Sequence, residues 1–101
     1  MPTDVVVVVI ACQAQPGKAD LVRKEFAALI RAVLSNEPAC LGIWFHQNLE
    51  DETKFLVYER WTDRTAYVGP HMQTPHMQAF VQKAPNMFAG TPTITFWRLN
   101  A

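Results

Sequence analysis

An α+β fold in the order β-α-β-β-α-β is predicted for this 101-residue chain by three observations. A β-branched run, Val5 to Gln13, opens it. Two stretches carry apolar residues at helical spacing, and an acidic turn, Glu50-Asp51-Glu52-Thr53, joins two strand-like segments between them. That order is the ferredoxin-like split unit, a four-stranded antiparallel sheet with helices on one face.

The first strand has no polar alternation, which marks it as buried on both faces. Pro16-Gly17 breaks it. From Lys18 to about Asn36, Val22, Phe26, Leu29, Ile30 and Val33 form one helical stripe, and Pro38 ends the helix. Leu41 to Leu49 and Phe55 to Trp61 read as a hairpin. Asp63 caps a short helix through Tyr67 that Gly69-Pro70 is expected to interrupt. Thr74 as cap and Pro75 in the first turn start the second long helix, with the stripe Met77, Phe80, Val81 and Ala84, and Pro85 limits its length. Thr93 to Leu99 is the last strand.

The length suits one domain over residues 1–101. Apolar residues make up 50% of the chain and charged ones 18%, a globular balance. Nine basic residues offset nine acidic ones, so no general field draws nucleic acid or an anionic membrane. The apolar run Val5 to Ala11 is too short to span a bilayer and has no basic leader, so a cytoplasmic setting is expected. Cys12 and Cys40 lack metal-ligand spacing and read as small buried hydrophobes. Nucleotide loops, a nucleophile elbow and RNA-binding strand motifs are missing.

The strands are apolar on both sides. Val5, Val7 and Val9 point one way while Val6, Val8 and Ile10 point the other, and Phe55 and Val57 oppose Leu56 and Tyr58. Two helices cover one face only. The other is expected to pack on a second copy, giving a homodimeric α/β barrel.

Reactive side chains concentrate between Tyr58 and Phe80. Phe55, Val57, Glu59 and Trp61 share a strand face. A hairpin loop with an even number of residues adds Trp44 and His46 to that face; an odd one swaps them to the other. Trp61 reads as packing or as a stacking wall with an indole donor. Glu59 is a buried salt-bridge partner or a base of raised pKa, and Arg60 points away from it. His76, early in the last helix and four residues before Phe80, is a structural residue or a general base. His71 lies in the segment that could close a cleft, or on the surface. Tyr67 is buried or binds a substrate oxygen. The spacing of His46, His71, His76 and Glu59 argues against a metal site.

The pattern Phe55-x-x-Tyr58-Glu59-x-Trp61-x-Asp63-x-x-Ala66, then His71-x-x-Thr74-Pro75-His76-x-x-x-Phe80, resembles the antibiotic biosynthesis monooxygenase family. Pro16-Gly17-Lys18 and Glu37-Pro38-x-Cys40-x-Gly42 extend the likeness over nearly all of the chain. The family comprises dimeric α/β barrels that include cofactor-free oxygenases, haem degraders and autoinducer-processing enzymes. In polyketide oxidisers the resemblance implies Asn, Trp and Tyr in the cleft; Trp61 and Tyr67 match two of these, but Val57 stands where the Asn would be. Haem degraders resemble the chain through Trp61 and His76, yet their first-strand Asn has no counterpart here.

The resulting expectation is a monooxygenase needing no cofactor or metal, acting on an electron-rich phenol, hydroquinone or polyketide-like ring. His76 is the first candidate base, then Glu59 or His71, with Trp61, Tyr67, Trp44, His46 and Phe80 around the substrate. An oxygen-independent isomerase or breakdown enzyme for a small hydroxy-ketone uses the same groups. A non-catalytic ligand-binding barrel uses none of them.

Overall fold

The structure, a computed structural model, describes residues 5–100, so residues 1–4 and 101 of the expected domain lie outside the described range. Strands β1 (Val6–Gln13), β2 (Cys40–Gln47), β3 (Lys54–Trp61) and β4 (Thr93–Arg98) form one antiparallel sheet in the order β2-β3-β1-β4. Helix α1 (Ala19–Asn36) follows β1, and α2 (Arg64–Ala66) and α3 (Pro75–Lys83) follow β3. This is the predicted α+β, ferredoxin-like order.

The most apolar strand takes a central place, between β3 and β4, as burial on both faces requires. Gly17, with φ +78°, makes the sharp turn from β1 into α1. On the covered face Phe26 of α1 meets Phe45 of β2 at 4.7 Å and Phe80 of α3 at 4.9 Å between ring centroids. A second part of the core gathers Val6, Val8, Val33, Cys40, Trp61 and Tyr67.

Thr74 caps α3, its hydroxyl accepting the Met77 N–H, with Pro75 in the first turn as predicted. Asp63 caps α2 through the Ala66 N–H at 2.7 Å. Gly69-Pro70 does not interrupt the helical path beyond Ala66. Pro70 lacks an N–H and cannot make the ordinary helical bond, so the chain widens into a π-helical turn, Tyr67–His71. Ala84–Asn86, including Pro85, closes α3 as a 3₁₀ turn.

The hairpin register decides one open question. Ile43 pairs with Glu59, Trp44 with Tyr58 and His46 with Leu56. Residues 48–54, an odd number, separate the paired Gln47 and Phe55. The Asn48 side chain holds this loop by accepting the Glu50 and Asp51 N–H groups at 2.7 and 2.9 Å. Trp44 and His46 therefore lie on the sheet face opposite Glu59 and Trp61, which corrects their expected place beside the substrate.

That opposite face is uncovered. Trp44, Leu56 and Trp97 are exposed on it, and Trp44 meets Tyr58 edge to face at 5.6 Å. Among the described residues, no helix is long and apolar enough to cross a membrane.

Candidate active site

Alternation along β3 turns Phe55, Val57, Glu59 and Trp61 toward the helices, and all four are buried. The capped turn after β3 then carries Tyr67 and His71 back over the strand end. In a π turn, residues four apart lie nearly above one another. Tyr67 and His71 accordingly stack at 5.0 Å with ring planes 27° apart, and His71 approaches Trp61 to 4.6 Å.

A cavity of about 250 Å³ lies between the sheet and the helices. Glu59, Tyr67 and His71 bring polar groups to it, and Phe26, Ile43 and Phe80 are among its apolar walls. Val81 and Ile94 line it and are themselves exposed, which puts its mouth between α3 and β4. A wider, open trough of about 630 Å³ runs past His46, Lys54 and Leu56 at the other end of the sheet. Size favours the trough, but enclosure and converging titratable groups favour the cavity.

Glu59 has no cation beside it among the described residues. The Trp61 indole N–H donates to its Oε1 at 2.8 Å. Burial pushes the Glu59 carboxyl up to about 7, aided by the nearby Glu37 charge and opposed by the indole. Burial moves His71 the other way, below the ordinary imidazole value, against the pull of Glu37. The Tyr67 hydroxyl is raised by burial and by Glu59, so it stays protonated. Burial pushes both cysteine thiols up to about 11, which keeps them protonated and poorly nucleophilic.

His76 does not border the cavity. Its Nε2 donates to Glu37 Oε2 at 2.6 Å, and its ring lines a small surface groove with Ala28 and Ala79. The first turn of α3 aims it across at the end of α1 rather than down onto the sheet. Trp61 is likewise not a cavity wall: it is 1% exposed and packs behind Glu59. Of the expected site residues, the structure brings Glu59, Tyr67, His71 and Phe80 to one cavity, places Trp61 behind them, and sets His76, Trp44 and His46 elsewhere.

Sequence reasoning missed Glu37 as a site residue. Its carboxylate accepts His71 Nδ1 at 2.9 and 3.0 Å and His76 Nε2 from the other side. A signal existed. A carboxylate just past the C-terminus of α1 faces the negative end of the helix dipole, so its position calls for a cationic or donor partner. The described residues contain no group of three His, Cys, Asp or Glu side chains placed to hold a metal ion.

Comparison with known proteins agrees with this architecture. A Synechocystis protein, the uncharacterized sll1783, is 29% identical over 99 residues. That match covers 95% of the present chain, which spans 64% of the relative's length. PA3566 of Pseudomonas aeruginosa superposes with a TM-score of 0.88 at 24% identity, covering 100% of this chain and 99% of that one. A Caulobacter crescentus CB15 protein, provisionally named an antibiotic biosynthesis monooxygenase, gives 0.88 at 26% identity over 98% of this chain and 92% of that one. The sequence profile of that family matches residues 5–83, from the first strand through Glu59, His71 and the whole of α3. The chain belongs to the antibiotic biosynthesis monooxygenase family.

Proposed function

We propose that this protein is a cofactor-independent monooxygenase that oxidises a small electron-rich phenol or hydroquinone with O2. The observation that carries the reading is the pair of titratable groups in one apolar cavity with pKa values pushed in opposite senses. His71 is held neutral, as a base must be, and Glu59 is held partly protonated near pH 7, as an acid must be. Acid and base assignments follow from such pairs.

Triplet O2 reacts slowly with a singlet phenol but accepts an electron from a phenolate. His71 Nε2 takes the hydroxyl proton. The phenolate passes one electron to O2, and the radical pair recombines as a ring-bound peroxide. Glu59 protonates the developing peroxide, while the phenol of Tyr67 donates to the ring oxygen. Proton loss from the ring carbon and departure of water leave a quinone. One phenol and one O2 thus give one quinone and one water. The apolar walls exclude water from the peroxide.

The same acid and base can move a proton between adjacent carbons of a hydroxy-ketone without oxygen. An oxygen electrode separates the two readings. A panel of hydroquinones, naphthols and small hydroxy-ketones is expected to show O2 consumed in step with a phenolic substrate. Turnover that continues at full rate without air replaces the oxygenase with an isomerase. No turnover of any kind, with His71 titrating as a free imidazole near 6.5, favours a binding barrel.

We further propose that the uncovered sheet face pairs with a second copy. The support is its exposed apolar area, with Trp44, Leu56 and Trp97 on one face where a monomer would keep them wet.

A further inference from the structure

We infer that Glu37 is the positioning residue of this site: it holds His71 in the tautomer that presents a bare Nε2 to the cavity, and His76 clamps Glu37 from outside. The inference rests on the reading of His71 as the cavity base.

Three observations carry it. The Glu37 carboxylate spans both imidazoles, with His71 Nδ1 at 2.9 and 3.0 Å and His76 Nε2 at 2.6 Å. An ionised carboxylate only accepts, so the His71 nitrogen facing it must carry the hydrogen, and the remaining nitrogen keeps its lone pair. Exposure is graded outward along the chain of groups, with side-chain values of 4% for His71, 10% for Glu37 and 17% for His76. The inner imidazole is sealed in the site and the outer one reaches water.

The carboxylate also governs how strongly His71 attracts a proton. Burial disfavours the imidazolium, and Glu37 opposes that effect. The other ionisable groups near this site are His76 from α3, Tyr67 from the same π turn, Glu59 from β3 and Cys40 from β2. Tyr67 and Cys40 stay neutral in the working range, leaving Glu37 as the charged group in hydrogen-bond contact with His71. Its position past the C-terminus of α1 is otherwise unfavourable, and two histidine donors offset that.

The test is the tautomer of His71, read by nitrogen NMR of the histidine rings in the 101-residue chain without substrate. The wild type is expected to carry the hydrogen on Nδ1. Finding it on Nε2 overturns the inference, whatever any variant does. In Glu37→Gln the amide can donate to Nδ1, so the tautomer is expected to reverse and His71 to titrate about 1–3 pH units lower. With a phenolic substrate in hand, kcat should fall by as much as ~10⁴-fold with KM little changed, as for a wrong-tautomer histidine in a catalytic triad. His76→Gln retains a donor to Glu37 and should leave the His71 tautomer as in the wild type. An unchanged tautomer and titration in Glu37→Gln refutes the assignment. Because the tautomer is measured without turnover, loss of the oxygenase reading and loss of this inference remain separable.

Discussion

The Trp61 indole N–H donates to Glu59 Oε1 at 2.8 Å, between two buried side chains on the same face of β3. The strand's two-residue repeat makes this contact local, and it is the one hydrogen bond that restrains the cavity carboxyl among the described residues. Trp61→Phe keeps most of the packing but removes the donor. The Glu59 pKa should then rise further. The unfolding free energy should fall by about 1–3 kcal/mol, the cost of a lost buried hydrogen bond. Urea denaturation and carboxyl NMR titration check the two effects.

Glu59 also makes stability depend on pH. Its folded-state pKa, about 7, lies above the ordinary value of 4.5, so the fold disfavours the ionised form. The contribution of the protonated group is complete below about pH 4.5 and is lost as pH rises through 7. At 1.36 kcal/mol per pH unit the loss is on the order of 3 kcal/mol. Glu59→Gln never ionises, so its stability relative to wild type should climb by that order between pH 4.5 and 8. His71 acts in the opposite sense, since burial lowers its pKa, but it is present in both proteins and cancels. A flat difference between the two denaturation series across that range would remove Glu59 as a raised carboxyl.

His71→Gln removes the cavity base while preserving size and polarity. A general base contributes ~10²–10⁴-fold, so oxygen uptake with a phenolic substrate should fall by that factor. Unaltered uptake in a folded variant takes His71 out of the mechanism.

Leu56→Asp places a charge on the uncovered sheet face without touching the helix side. Light scattering should report a dimer for the wild type and a monomer for the variant. A wild type that is monomeric at micromolar concentration rejects pairing through this face.

Much of the scaffold was legible because local chemistry governs it. The two-sided apolar pattern of Val5–Gln13 marks a central strand, and Thr74-Pro75 and Asp63 start their helices through bonds made within one turn. The common face of Phe55, Val57, Glu59 and Trp61 needs nothing beyond strand alternation. Glu59, Tyr67 and Phe80 could therefore be named as site candidates from the chain itself.

Three features escaped the reading of local pattern. The side of the sheet that receives Trp44 and His46 rests on the parity of the hairpin loop, a single-residue matter that composition does not encode. The choice between His71 and His76 turned on a π-helical widening at Pro70, which brings His71 to the cavity, while the first turn of α3 sets His76 against Glu37 just past α1. Glu37 stands 34 residues from His71 and 39 from His76, so no local pattern links them. Periodicity and capping select the elements because they act over a few residues. The cavity and its carboxylate-bridged imidazoles arise where four separately formed elements meet, and only three-dimensional packing determines which side chains face one another there.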